Sequence, residues 1–326
     1  MSIILEVDDL HTQFDTLDGT VRAVDGVSFS LKRGETLGIV GESGCGKSVT
    51  ALSILRLIPE TGRLMGSIKF EGEELTTLSD EAMKRLRGHR ISMIFQEPMT
   101  SLNPVLTVGT QIAENVTRHL GLSKKAALDR AAEMLDLVRI ADPKRRVHEY
   151  PHQLSGGMRQ RVMIAMALSC DPQVLIADEP TTALDVTIQA QILDLMLELK
   201  EKTGTAIVLI THDLGVIAET TERVVVMYAG RKVEEADVED LFARPLHPYT
   251  QGLMRAIPRL DVEADAAGTR PRLQEIPGLV PVLTRPIIGC AFAARCALAT
   301  DRCRSAAPPM IDAGRGHLVA CWEAKP

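Results

Sequence analysis

The most specific chemistry in the chain lies in Gly41-Glu42-Ser43-Gly44-Cys45-Gly46-Lys47-Ser48, which has the spacing G-x-x-x-x-G-K-[ST]. Glycines at these positions let the backbone curl until successive N–H groups face phosphate oxygens. The helix expected to follow, over residues 49–57, turns its positive end toward the same place. Lys47 is expected to reach the β- and γ-phosphates of a nucleoside triphosphate, and the Ser48 hydroxyl to hold Mg²⁺. Ser43, Gly44, Gly46 and Val49 complete the expected nucleotide contacts. Cys45 joins that set by position, as a small filler at an unconstrained place in the loop.

A second constellation is Asp178-Glu179, which closes an apolar run before Pro180 turns the chain. Asp178 is suited to support Mg²⁺ and Glu179 to polarise an attacking water. An acidic pair alone is a weak signal. The preceding phosphate loop and the following Thr181-Thr182-Ala183-Leu184-Asp185 strengthen it. His212 ends a third apolar run. If that run abuts the first two, His212 stands where it can touch the γ-phosphate and hold the water.

Three elements must position these residues. The runs 36–40, 174–177 and 206–210 are almost continuously apolar, as expected of strands buried on both faces. Each ends directly at polar residues, and in open α/β sheets ligands bind beyond the carboxyl ends of the strands. The first ~240 residues alternate strand-like and helix-like segments, which predicts an α/β core with a largely parallel sheet. Between Pro98 and Tyr150 the pattern turns helical: Ala127, Ala131, Leu135 and Val138 recur at helical spacing. This stretch reads as a helical subdomain inserted at about residues 97–165. The hydrophobic share of 45% over 326 residues is enough for a packed core. The net charge of −6, with no block of Lys or Arg, argues against a nucleic-acid partner. Neither a secretory signal nor a run of membrane-spanning length is visible, so the chain is expected to be soluble alone and to touch membrane proteins without crossing a bilayer.

After about residue 258 the composition shifts. The stretch 261–269 reads as a linker, and the tail as irregular and too small to hold a core alone. Four of the 6 cysteines lie there, Cys290, Cys296, Cys303 and Cys321, spaced C-x5-C-x6-C-x17-C. In a cytosolic protein clustered thiols suggest metal rather than disulfides. The lack of a C-x-x-C pair weakens a zinc-ribbon reading, and four thiolates also suit an iron–sulfur cluster. Zinc, a cluster and free thiols all remain open, with His317 as a substitute ligand.

Leu154-Ser155-Gly156-Gly157-Met158-Arg159-Gln160-Arg161 resembles the signature of ABC transporter ATPases, L-S-G-G-Q, with Met158 in the last place. The resemblance covers roughly residues 5–253, with the motifs in family order. It implies the P-loop ABC nucleotide-binding fold, with ATP and Mg²⁺ as ligands. It makes Gln96 the residue that couples Mg²⁺ and the attacking water to a membrane partner, with Asp185 in the D-loop and His212 in the switch loop. Ser155, Gly156, Gly157 and Gln160 would face ATP held by a second subunit. That role agrees with the physics, since the segment opens a helix and presents free N–H groups to an anion. Phe14 is the aromatic assigned to the adenine, although Asp15–Thr20 looks inserted relative to shorter relatives.

Three further segments narrow the resemblance to the dipeptide/oligopeptide and nickel importer branch: Gln96–Pro104, Glu179–Gln191 and His247-Pro248-Tyr249-Thr250. The tail, with Ile276-Pro277-Gly278 and Ala320-Cys321-Trp322, looks like that branch's C-terminal extension. The implied organisation is an ATPase domain over 1–258 and an extension over 259–326 carrying a 4Fe–4S centre. The implied partners are a second ATPase subunit, a paralogue, with two membrane-spanning permease subunits and an external substrate-binding protein. The implied location is peripheral, at the cytoplasmic face of the inner membrane. Nickel, glutathione and a non-transport role on nucleic acid are the alternative readings.

Overall fold

The computed structural model describes residues 2–17, 19–96, 101–181, 185–256, 275–281 and 283–324. Its strands form two sheets. An antiparallel sheet holds β1 (Ile3–Thr16), β2 (Gly19–Lys32), β4 (Gly62–Phe70) and β5 (Glu73–Glu74), in the order β2-β1-β4-β5. The residues that looked inserted near Asp15 are the distal end of the β1–β2 hairpin, where Asp15 pairs with Thr20 and Thr16 with Gly19.

The larger sheet contains β3 (Thr36–Val40), β6 (Ile91–Ile94), β7 (Val174–Asp178), β8 (Ala206–Thr211), β9 (Arg223–Tyr228), β10 (Arg231–Asp237), β11 (Ile311–Asp312) and β12 (Leu318–Val319). Its order is β11-β12-β10-β9-β3-β8-β7-β6, and β9, β3, β8, β7 and β6 pair in parallel. The three predicted strands are thus neighbours. Every residue of β3, β7 and β8 is buried. Alternation along each strand divides the core in two. Leu37, Ile39, Ile176, Val208 and Ile210 pack with the antiparallel sheet on one face. Leu175, Ala177, Ile207 and Leu209 pack with the inserted helices on the other.

Between β6 and β7 lie the helices Val108–Leu120, Lys124–Leu137, Pro143–Arg146 and Gly156–Leu168. The side chains of Thr107, Ser123 and Ser155 cap three of them by accepting from the N–H of the third residue on. Ala127, Ala131, Leu135 and Val138 are all fully buried, as their spacing predicts. Among the described residues no helix is long and apolar enough to cross a membrane.

The tail is not the isolated irregular piece its composition suggests. β12 pairs with β10 through Glu234–Val319 and Glu235–Leu318, and β11 pairs with β12, so the extension lengthens the main sheet. Phe292, 3% exposed, enters the core beside Tyr228, Tyr249 and His247, with ring centroids 5.2, 5.5 and 5.8 Å away. A segment that cannot build a core has joined an existing one. Removing its anchor should therefore destabilise the whole molecule. Phe292→Ala is expected to cost about 3–5 kcal/mol, read as a lower denaturant midpoint for the full chain.

Candidate functional site

The loop 41–48 leaves the end of β3 and runs into the helix Lys47–Ile54. Two glycines are obligatory for steric reasons. A Cβ on Gly46 would lie 2.3 Å from the Ala23 carbonyl oxygen at φ +98°, and one on Gly41 would lie 2.2 Å from that of Met227. Ser43 and Gly44 stand exposed at the crest, and Cys45 is buried beneath. Burial pushes the Cys45 thiol up, which suits the filler role. Lys47 is buried and folded over the loop, its Nζ donating to the carbonyls of Gly41 (2.7 Å) and Glu42 (3.1 Å).

The acidic strand end faces this loop. The Ser48 hydroxyl donates to Asp178 Oδ1 at 3.1 Å. Asp178 is 3% exposed, and burial raises its carboxyl pKa, opposed by the Ser48 bond. A buried carboxylate joined to a hydroxyl is a hard oxygen donor set of the kind Mg²⁺ requires. Glu179 takes a left-handed φ of +46°, its N–H donating to Ile210 O at 2.9 Å across to β8. That bend presents its carboxylate to two partners. Gln96 Nε2 donates to Oε2 at 2.9 Å, and His212 Nδ1 lies 3.3 Å from Oε1. The ends of β6, β7 and β8 therefore bring Gln96, Glu179 and His212 together. The arrangement places a carboxylate, an amide and an imidazole beside a phosphate-binding loop.

Ser155 and Gly156 are exposed at the start of their helix, and a side chain added at Gly157 would press against Ile188. The helix begins at Gly156, so both glycines sit in its first turn. Gln160 departs from its expected role. It is 1% exposed and its amide donates to Pro180 O, tying the signature helix to the turn after Glu179 rather than facing outward. Asp185 caps the helix Val186–Thr203 by accepting from Ile188 N at 3.0 Å. Phe14 is half-buried near the hairpin end, against Gly62. Residues 97–100 and 182–184 lie outside the described residues.

The ABC transporter family description matches residues 24–182, and "oligopeptide/dipeptide transporter, C-terminal region" matches residues 233–303. A probable peptide ABC transporter ATP-binding protein of Sinorhizobium fredii is 58% identical over 322 residues, 98% of this chain and 95% of that one. The chain belongs to the ABC transporter family. It is an ATP-hydrolysing cassette of the oligopeptide/dipeptide branch. The oligopeptide and dipeptide transport ATP-binding proteins of Bacillus subtilis are each 52% identical over 324 residues, 99% of this chain and 97% and 95% of theirs. Among solved structures, a dimeric ATP-binding cassette in a post-hydrolysis state with ADP and Pi aligns with a TM-score of 0.65 and 29% identity. It covers 72% of this ABC ATPase and 98% of that chain. The branch-specific match begins at residue 233, inside β10, the strand that pairs with β12 of the tail.

In this ABC ATPase the four tail cysteines line one small cavity of about 10 Å³. Burial raises the Cys290, Cys296 and Cys321 thiols. Among the described residues no group of three or more His, Cys, Asp or Glu is placed to hold a metal ion. His317 does not line this cavity. Its Nε2 lies 2.7 Å from Glu234 Oε1, in a buried pair. The histidine at the cavity is His247, whose pKa burial pushes down to about 3 and whose Nδ1 accepts from Tyr249 N. The His-Pro-Tyr segment pointed to the branch, but no spacing rule connects it to cysteines more than forty residues away. The phosphate loop yields the sharpest expectation of the site. Gly46→Ala should abolish nucleotide binding in equilibrium titration, since the added methyl meets a carbonyl and the required φ is strained.

Proposed function

We propose that this cassette powers the import of dipeptides or oligopeptides, its ATP site being assembled from the residues gathered at the ends of β3, β6, β7 and β8. The observation that carries the reading is the contact of Glu179 with both Gln96 and His212 beside Lys47, Ser48 and Asp178. The names of the relatives support the peptide substrate. Lys47 and the loop amides of residues 43–46 bind the phosphates, with Val49 following at the helix start and Phe14 against the adenine. Ser48 and Gln96 would hold Mg²⁺, supported by Asp178, and bound there it would neutralise charge on the phosphates. Glu179 orients and polarises the attacking water, and His212 keeps Glu179 in place while reaching the γ-phosphate. Replacing Glu179 by Gln keeps the shape but removes the carboxylate. Steady-state hydrolysis should fall by at least about 10²-fold with ATP binding retained; near wild-type turnover would remove Glu179 from the mechanism.

Ser155, Gly156 and Gly157 cap the ATP of a second ATPase subunit, a paralogue, and Asp185 lies near that interface. Their exposed helix start supports this, because one chain supplies one phosphate loop and a second, outward-facing set of donors. One of the two permease subunits docks in the open groove of about 410 Å³ that Leu57, Met93, Phe95 and Met166 line with Lys84 and Arg118, the other on the second ATPase subunit. Phe95 there is adjacent to Gln96, so a docked permease would sense the site directly. On this reading the cassette works at the cytoplasmic face of the inner membrane, with an external binding protein delivering the solute. ATPase activity of the assembled complex should rise on adding peptide with its binding protein. Stimulation by nickel or glutathione instead would replace the substrate reading.

Cys290, Cys296, Cys303 and Cys321 are the residues that would hold a 4Fe–4S cluster. The support is their convergence on one cavity. All four line the same small cavity, and four thiolates are a ligand set that a 4Fe–4S cluster takes. Bound there, the cluster would cross-link the extension. Anaerobically purified protein is expected to carry roughly four irons per chain and to lose them on Cys303→Ser. Stoichiometric zinc without iron would decide for zinc.

A further inference from the structure

We infer that Arg295 and Tyr249 position the phosphate loop through Glu42, making the C-terminal extension a working part of the ATP site. The inference rests on reading residues 41–48 as that loop. Glu42 is its second residue, and both its side chain and its backbone are held from behind. The Arg295 guanidinium meets the Glu42 carboxylate in a bidentate pair, Nη1 to Oε2 at 2.6 Å and Nη2 to Oε1 at 3.0 Å. The remaining donors go to Pro277 O (2.9 Å, from Nε), Ile276 O (3.0 Å, from Nη2) and the Tyr228 hydroxyl (3.4 Å, from Nη1). With its side chain 5% exposed, Arg295 has each nitrogen committed to a protein acceptor. The Glu42 N–H donates to the Tyr249 hydroxyl oxygen at 2.8 Å.

This geometry solves an electrostatic problem. A loop that binds a triphosphate gains nothing from a carboxylate inside it, which left free would repel the ligand. Arg295 cancels that charge and turns the carboxylate away in one rigid fork. Tyr249 fixes the backbone at the same residue, so the neighbouring loop amides are set before ligand arrives. Arg295 immediately precedes Cys296, and Tyr249 follows Pro248, which with His247 lines the cysteine cavity. Order in the tail is thereby transmitted to the loop through two side chains.

MgATP titration and steady-state kinetics on the purified full chain test this. Arg295→Met should weaken MgATP binding about tenfold, raising KM with kcat within about twofold. Adding Glu42→Gln should restore most of the affinity, because the freed carboxylate causes the loss. A purely structural role for Arg295 predicts no such rescue. Wild-type affinity in folded Arg295→Met, or a double variant no better than the single one, overturns the inference. Should Arg295→Met fail to fold, Tyr249→Phe removes only one oxygen and should weaken MgATP binding about threefold; unchanged affinity overturns the proposal equally. Lys47→Ala separates the two layers. If it binds MgATP normally, the reading of the loop itself fails, whatever Arg295 does.

Discussion

Parallel pairing of β3, β8 and β7 is the constraint on which the rest depends. Register sets Val40 beside Thr211 and Asp178 beside Ile210, so the three strands end at nearly one level. Everything chemical follows from that level edge: the loop at 41, the carboxylates at 178 and 179, and the imidazole at 212. Burial on both faces holds the register. A one-residue slip would exchange the side chains facing the antiparallel sheet with those facing the helices, and each face is packed to fit its own set.

Charges inside this frame are handled by pairing rather than by exposure. Arg223 bonds Glu35 and Glu235, Glu234 receives His317 together with the amides of Leu246 and His247, and Arg295 holds Glu42. Each of these joins segments distant in sequence. Buried pairs of this kind add little net stability over apolar packing, but losing one partner leaves a costly lone charge. They therefore act as register pins, and two of the three fasten the extension to the cassette.

The extension shows how a short, proline-rich segment becomes ordered without a core of its own. Its described part lends two strands to a sheet edge, one phenyl ring to an aromatic cluster and one guanidinium to a loop. Each contact uses a surface the cassette already offers, so the entropy of ordering the tail is offset by burial that would otherwise be missing at that edge.

Local features were legible in the sequence because their physics is local. The loop 41–48 needs glycines at fixed steps, β3, β7 and β8 announce double-sided burial by unbroken apolarity, and the helix at 124 carries its own period. His212 was legible as a strand-end residue, whereas Gln96 was assigned only through the family resemblance, and its meeting with Glu179 is set by the pairing of β6 with β7. Three matters were decided only by tertiary structure. Gln160 turns inward because Pro180 stands within reach, a fact set by how two non-adjacent segments pack. His317 pairs with Glu234, while His247 takes the place beside the cysteines. Arg295 reaches Glu42 across more than 250 residues of chain. Such pairings carry no periodicity and no spacing rule. They arise where the fold closes, and sequence distance holds no information about that closure until the sheet edge and the docked tail bring the partners together.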